Sequence, residues 1–561
     1  MSNPGRKSQL SNILWRHPGH LVWIVAAYLP FLAGMSVPLT GDQKVYLSTS
    51  LEMMQRGSWL RPLLFGEGSY YKPPLEYWAT ILGWKVFGFG MFGAMLPSVL
   101  ATLLTCWLLG EIADHLKEKK AFVSAGLWFA AALGTVTYGT TAQMEIYLCL
   151  FYAAAWWAGL QYLSAPLASR TSSWLYVAFA IAGLSALIKS PLYSVFWVVG
   201  YITYLLVSGE WEVFRSRHLY GAWVLGIVAG SIWYLYILKV DGNRFWADYV
   251  MRETWDKGSG NSGSALSLWV ALLYFCFPFT LLLIPSVGSL WRSRLRTPGT
   301  IVRFTICWCW APAVFFTLYP YRIKPYLYLL VPALALIADF GYFRGGRTVW
   351  FQRWLKATGV IMAIAFAALA VVLVRAELTP AWVAAGFLAS ALCAAFFSFT
   401  DRVRALALCG LAGVFLFRAA AVQLGEADLR GLREAVASEP ARAIGMWDEN
   451  RNIWHEVGLM SAGIGHPMAR LYTFEQVLEF LKSGGQVVLT DSQVRDRLEE
   501  LRTRWRESGE PASSLGSRPW SRWAVRAKFP FREVILNGRR GVADFDQLTK
   551  RIFSVVGKVQ R

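Results

Sequence analysis

Apolar residues in this chain come in blocks of about twenty, the length an α-helix needs to cross roughly 30 Å of hydrocarbon at about 1.5 Å per residue. The blocks fall near 20–38, 88–110, 121–139, 146–164, 174–188, 191–208, 221–240, 265–290, 302–319, 325–343, 357–375, 380–399 and 404–423. Inside them a helix is the expected state, because lipid cannot satisfy the hydrogen bonds of an open backbone. The pattern predicts an α-helical polytopic membrane protein with about thirteen transmembrane helices. A soluble enzyme with unusually large cores is the alternative, and the number of blocks argues against it.

Beyond residue 424 the pattern changes to dense charge and short strand-like runs. Residues 486–490 read as a buried strand. Thr473 to Lys482 reads as a capped amphipathic helix ending at Gly484-Gly485, and Asp491 opens a charged helix through about Arg506. The expected organisation is a membrane domain, 1–424, whose first outer loop is 39–85, followed by a small C-terminal α/β domain, 425–561, of a size that folds alone. No internal repeat or low-complexity tract interrupts it.

Composition agrees with this division. Of the 561 residues, 55% are hydrophobic and only 16% charged, against about a quarter charged in ordinary soluble chains. The net charge of +20 suggests nucleic acid at first sight, but its placement argues otherwise. With the basic N-terminus (Arg6, Lys7, Arg16) inside, alternate loops carry Lys117, Lys119 and Lys120, then Arg170, then Arg215 and Arg217. Further on come Arg292, Arg294 and Arg296, then Arg344, Arg347, Arg353 and Lys356, then Arg402 and Arg404. This is the positive-inside rule at each step, and an odd number of spans puts the tail outside. The first run, Leu21–Pro38, lacks a small-x-small cleavage site and reads as a retained helix rather than a signal peptide. The seven cysteines all lie in apolar blocks, so no secreted disulfide framework is expected, and Cys307 and Cys309 read as packing residues.

The outer face collects Asp42, Glu52, Lys72, Glu145, Lys189, Arg252, Glu253, Lys257, Arg322 and Lys324. Charge beside a membrane is costly, so these groups are the informative ones. Each also has a plain structural reading. Asp42 could be the N-cap of an amphipathic segment, 43–56. Glu145 could be a boundary carboxylate at the start of the fourth span, favoured by a helix N-terminus. Lys72 precedes Pro73-Pro74 and a new helix, where it could meet a phosphate beside free N–H groups, or simply snorkel among interfacial aromatics. Arg322 and Lys324 break the positive-inside pattern, an exception that an anionic ligand explains.

The order Asp42…Tyr46…Glu52-Met53…Gly57-Ser58-Trp59…Pro62…Tyr70…Lys72-Pro73-Pro74-Leu75…Tyr77-Trp78 resembles the aminoarabinose (lipid A) transferase family of bacterial GT-C glycosyltransferases, relatives of the protein O-mannosyltransferases. The resemblance continues through Glu145, the Lys189-Ser190-Pro191 turn, and Arg322 to Pro332. The family has about thirteen spans and a C-terminal periplasmic α/β domain, as the hydropathy and charge pattern predicts here. The resemblance implies a polyprenyl-phosphate sugar donor, undecaprenyl phosphate in bacteria, and transfer to lipid A or another glycan or protein acceptor. It implies a bacterial inner membrane protein with its N-terminus cytoplasmic and its C-terminus and active site periplasmic. The partners are then donor, acceptor and membrane lipids, with no nucleic acid.

Residue by residue, the resemblance makes Asp42 the first-loop catalytic aspartate, Glu145 the acidic position of the second outer loop, and Lys72 the lysine that meets the lipid phosphate. Lys257, Arg322 and Lys324 match basic positions lining the donor cavity. Two positions depart from the family. Gln43 stands where an acid often follows the aspartate, and Tyr71 where an acid that can serve a metal precedes the lysine. The six histidines lie in inside segments or the tail, so no cofactor is expected with certainty and a divalent metal would lack its usual ligands.

Two rivals remain at this stage. One is a transferase moving mannose or a uronic acid onto protein or lipid hydroxyls. The other is a lipid or solute transporter, which would favour midplane charges and repeated halves with broken helices rather than charges gathered at one face.

Overall fold

The computed structural model describes residues 25–26, 28, 41–116, 122–164, 170–257, 263–292, 300–345, 348–375, 380–399, 404–417, 419–420, 443–447, 457–484, 486–489, 494–509, 515–523 and 550–558. Most of the first apolar block, the basic N-terminus and the expected domain boundary near 425 lie outside the described residues.

The first loop builds two helices joined by a small hairpin: α1 (Gly41–Gln55), β1 (Leu63–Leu64), β2 (Glu67–Gly68) and α2 (Leu75–Phe87). The membrane part continues with α3 (Met91–His115), α4 (Phe122–Ala131), α5 (Leu133–Tyr138), α6 (Met144–Leu163), α7 (Ser173–Leu184) and α8 (Pro191–Val207). Then come α9 (Arg217–Phe245), α10 (Ala265–Cys276), α11 (Thr280–Arg292) and α12 (Thr300–Leu318). Last are α13 (Val331–Gly345), α14 (Val349–Arg375), α15 (Ala381–Ser398) and α16 (Arg404–Phe417). Among the described residues seven helices are long and apolar enough to cross a membrane, and one bent pair adds an eighth.

Several of the predicted blocks are not single helices. The block near 121–139 breaks at Ala132, whose backbone is extended. The block near 265–290 breaks around Pro278 into α10 and α11, bent by 102°, because proline has no N–H to continue the ladder. The block near 221–240 runs on past a non-helical Asp241 and into a π-helical segment, Trp246–Asp256. The block near 325–343 opens with a 3-10 stretch, Lys324–Leu330, with Pro325 in its first turn. Two of these four breaks, at Asp241 and at Lys324–Leu330, border segments that carry the charges expected on the outer face. Small residues let neighbouring helices touch: a Cβ on Gly183 of α7 would strike the backbone of Gly226 in α9.

The hairpin is tied down on both sides. Glu52 of α1 accepts the backbone N–H of Phe65 at 2.9 Å and that of Gly66, which holds Phe65 at a left-handed φ of 60°. On the other side Arg61 meets Asp241 at 2.6 Å, Tyr70 donates to the same carboxylate at 2.8 Å, and Arg244 reaches Glu67 at 2.6 Å. The kink at Asp241 thus anchors the first loop.

The tail forms α17 (Val457–Ile464), α18 (Phe474–Lys482) and α19 (Val494–Glu507) around a five-stranded sheet. Its strands are β3 (Ile444–Trp447), β4 (Met468–Leu471), β5 (Gln486–Leu489), β6 (Leu515–Trp523) and β7 (Lys550–Lys558), in the order β4-β3-β5-β7-β6. β3 is parallel to both neighbours, and β7 is antiparallel to both of its own. Thr473 and Gln476 cap α18 reciprocally, the box its sequence predicts.

This sheet-and-helix unit sits on the first loop. Leu47 and Leu51 of α1, Trp84 of α2 and Met91 and Met95 of α3 share one buried cluster with Met446, Val457, Met460 and Met468. Gly458 donates its N–H to Ser48 Oγ at 3.1 Å, and a Cβ there would collide with the backbone of Leu47 and Ser48. Arg470 faces Glu52 at 3.6 Å and donates to the Ser48 carbonyl.

Candidate active site

Asp42 lies in the first turn of α1, one residue inside the helix rather than at an N-cap. A carboxylate there is favoured by the free N–H groups and positive end of the helix. The residue as a whole is exposed, yet surrounding protein partly desolvates its carboxyl. That desolvation, together with the charge of Glu145, raises its carboxyl above the ordinary range, while Lys189, Lys72 and Lys257 pull the other way. The four groups that act on Asp42 come from four separate stretches of chain. The fold brings together three of the predicted residues, Glu145, Lys72 and Lys257, around the fourth.

Glu145 opens α6 and is held by Lys189 at 2.7 Å, with only 6% and 9% of the two side chains exposed. Lys189 comes from the tight turn between α7 and α8, where Pro191 supplies a preformed first helical residue. The rings of Tyr326 and Tyr193 flank its ammonium at 5.5 and 6.0 Å. Burial opposes the charge on Lys189, but Glu145 outweighs it and holds the lysine protonated well above the ordinary range.

Lys72 forms the second centre. Its ammonium donates to Glu253 Oε2 at 2.6 Å, and Lys257 donates to the same oxygen at 2.6 Å. Lys72 also lies 4.0 Å from the centre of the Tyr71 ring, and Lys257 lies 5.4 Å from both Tyr71 and Tyr321. Burial pulls the Lys72 pKa down to about 8 in spite of Glu253. Two cations thus share one carboxylate oxygen, and the pair keeps an excess positive charge suited to a phosphate.

Arg322 is placed differently from the lysines. Its guanidinium donates to the Thr317 carbonyl at 3.1 Å and to Gly263 at 3.3 Å, closing the C-terminal end of α12, where a cation suits the helix dipole. Lys324 is exposed at the start of the 3-10 stretch.

Neither Glu253 nor Asp241 has a site role legible in the sequence. Glu253 stands 181 residues from Lys72, and only its i,i+4 spacing to Lys257 hinted at a partnership. Asp241 carries no comparable signal in the sequence.

A metal does not fit this arrangement. Among the described residues no three His, Cys, Asp or Glu side chains converge. Beside Lys72, moreover, Tyr71 offers a ring face to two ammonium groups where a ligand would need a carboxylate.

A helical scaffold that brings Asp42, Glu145, Lys72 and Lys257 together is what the first-loop resemblance implies, and comparison with known proteins agrees on the fold. The fold matches the crystal structure of ArnT from Cupriavidus metallidurans bound to undecaprenyl phosphate with a TM-score of 0.64, covering 95% of this chain and 96% of that one at 18% identity. The apo form of the same protein matches equally, at 0.64 and 17% identity, covering 98% of each chain. Residues 71–236 match the family described as dolichyl-phosphate-mannose-protein mannosyltransferase, a stretch that holds Lys72, Glu145 and Lys189.

Among curated proteins, the chain is 25% identical over 320 residues to the undecaprenyl phosphate-alpha-4-amino-4-deoxy-L-arabinose arabinosyl transferase of Pseudomonas aeruginosa (strain UCBPP-PA14), covering 54% of this chain and 55% of that protein. The enzyme of the same description from Pectobacterium carotovorum is 26% identical over 356 residues, covering 59% and 62%. The chain therefore spans little more than half the length of the curated relatives it matches. The resemblance read from the first loop holds, and the fold matches that of the Cupriavidus metallidurans structure.

Proposed function

We propose that this protein is a membrane glycosyltransferase that moves a sugar from a polyprenyl-phosphate donor, undecaprenyl phosphate in this reading, to lipid A or another envelope acceptor on the periplasmic side of the inner membrane. The observation that carries the proposal is the pairing of two adjacent centres. One is a lysine pair with excess positive charge at Lys72 and Lys257; the other is a carboxylate, Asp42, with a raised pKa. A leaving phosphate and an acceptor nucleophile need these two groups side by side.

In this reading the donor phosphate lies against Lys72 and Lys257, with Lys324 and Arg322 adding positive potential from the 320s segment. The bond between the anomeric carbon and the phosphate oxygen breaks, and the electron pair leaves with the lipid phosphate. Preorganised cations stabilise that developing charge without reorganising. The acceptor oxygen forms the new bond to the anomeric carbon, oriented by Asp42. Where the acceptor is a hydroxyl, its proton passes to Asp42. Glu145, paired with Lys189 at 2.7 Å, acts through Asp42 by raising the pKa of that neighbouring carboxyl. The periplasmic orientation, the domain division at 424 and the partner lipids belong to the same proposal, supported by the charge asymmetry of the loops.

One observation favours the hydroxyl-acceptor alternative, transfer of mannose or a uronic acid to protein or lipid. A phosphate acceptor needs no base, whereas a carboxyl tuned upward, as Asp42 is, suits deprotonation of a hydroxyl. Mass spectrometry of lipid A and envelope glycans from cells with and without the gene separates the two. A sugar lost from lipid A supports the first; a sugar lost only from protein or other glycans supports the second. Identical glycans in both cell lines contradict both.

A further inference from the structure

The lysine pair already has an anion. Glu253 places one carboxylate oxygen, Oε2, within 2.6 Å of both Lys72 and Lys257, and only 8% of its side chain is exposed. One oxygen accepting from two ammonium groups is the arrangement a phosphate oxygen would adopt between the same donors. Tyr71 and Tyr321 close over the pair, which leaves little water to screen a second anion. Like charges held against one pair of cations in such surroundings exclude one another.

Glu253 also sits on an unusual piece of backbone. Trp246–Asp256 is π-helical, a form rare in proteins and frequent at functional sites, and it follows the kink at Asp241. Lys257 lies one turn further along, so Glu253 can turn away while both lysines stay in place. Its neighbours Arg252 and Asp248 pair with each other on the more open side, at 3.5 Å.

We propose that Glu253 is an internal occupant of the phosphate site: its carboxylate stands where an oxygen of the donor phosphate belongs, and donor binding exchanges one anion for the other. The carboxylate keeps two half-buried lysines paired while the site is free, at the expense of donor affinity. This rests on the donor reading given above and adds a specificity consequence. A ligand must carry enough negative charge to displace a carboxylate, so a phosphate-bearing lipid binds and the uncharged polyprenol does not.

The test uses the full-length protein in nanodiscs, with undecaprenyl phosphate as the probe and undecaprenol as its uncharged control. Glu253→Gln keeps the shape and removes the competing charge, so it binds undecaprenyl phosphate more tightly, by about tenfold for one partly buried charge pair. Where wild type binds, equal or weaker binding by Glu253→Gln means that Glu253 only orients the lysines, and the exchange is overturned alone. Binding by neither protein overturns the donor reading together with the exchange. Carbodiimide labelling of wild-type carboxylates, read by mass spectrometry, needs no variant. Undecaprenyl phosphate raises labelling at Glu253 as it leaves the ammonium groups, and unchanged labelling at saturating lipid overturns the proposal.

Discussion

The Lys189 ammonium and the Glu145 carboxylate meet at 2.7 Å with both side chains almost wholly withdrawn from solvent. Removing one partner leaves the other as an unpaired buried charge. Lys189→Met is expected to destabilise the protein by about 3–5 kcal/mol, the usual result of breaking a buried pair. The double substitution Lys189→Met with Glu145→Gln should recover much of that loss. Thermal unfolding in detergent checks both, and a fully additive double variant would mean the pair is not energetically coupled.

Asp42 links the same pair to pH. Its folded pKa lies above the unfolded value because of desolvation and Glu145. The native carboxyl therefore holds its proton more firmly than the unfolded chain does, and raising the pH through that window costs stability. If Asp42 must be ionised for transfer, activity rises with pH along a limb displaced above the ordinary carboxylate range. Glu145→Gln removes the repulsion and should move that limb to lower pH. A pH–rate profile of the two proteins reads the shift, and an unmoved limb would detach Glu145 from Asp42.

At the other end of the pH range Lys72 takes over. Burial is the leading cause of its pKa of about 8, against an ordinary 10.5. The native state gives up this proton before the unfolded chain does, so below about 8 both states are charged and the burial cost is fully present. For the ligand the consequence is opposite in sign. Affinity for a phosphate-bearing lipid should weaken as pH climbs through about 8, and Lys72→Arg, which stays protonated, should flatten the decline. Binding measured from pH 7 to 9.5 tests this, and a decline unchanged in Lys72→Arg would assign it to another group.

The tail carries its own prediction. Gly458 brings α17 onto α1 so closely that any side chain would strike the backbone of Leu47 and Ser48, two turns along the helix from Asp42. Gly458→Val should cost about 1–3 kcal/mol by overpacking and lower turnover more than donor affinity, since Lys72 and Lys257 lie elsewhere. Thermal unfolding together with a kcat-against-KM comparison checks it. Unchanged stability would show that the tail does not bear on α1.

Much of this was legible in the sequence because membranes impose simple rules. Apolar blocks located most spans, and the capping box at Thr473 and Gln476 marked α18. The first loop announced Asp42 and Lys72 through a motif whose pieces lie within about forty residues of one another. What escaped is of two kinds. The break at Ala132 sits inside a block that remains apolar on average, and the helix that continues past Asp241 runs through polar residues beyond its block, so hydropathy sees neither. The pairs Lys72–Glu253 and Arg61–Asp241 join residues about 180 apart, and no periodicity records a contact made only when helices pack. Arg322 shows the converse: the charge pattern singled it out as an exception, but its role in closing α12 depends on carbonyls that only the folded backbone presents.

The central claim is that Asp42 and the Lys72–Lys257 pair together transfer a sugar from a lipid phosphate. Purified protein, given a polyprenyl-phosphate sugar and envelope lipid acceptors, should form a covalent glycosylated product detectable by mass spectrometry. Asp42→Asn, folded and still binding donor, should lose on the order of 10²–10⁴-fold in rate, the range for an acceptor-activating base. Product formation at the wild-type rate by Asp42→Asn, or donor movement across the bilayer without any covalent product, would contradict the account.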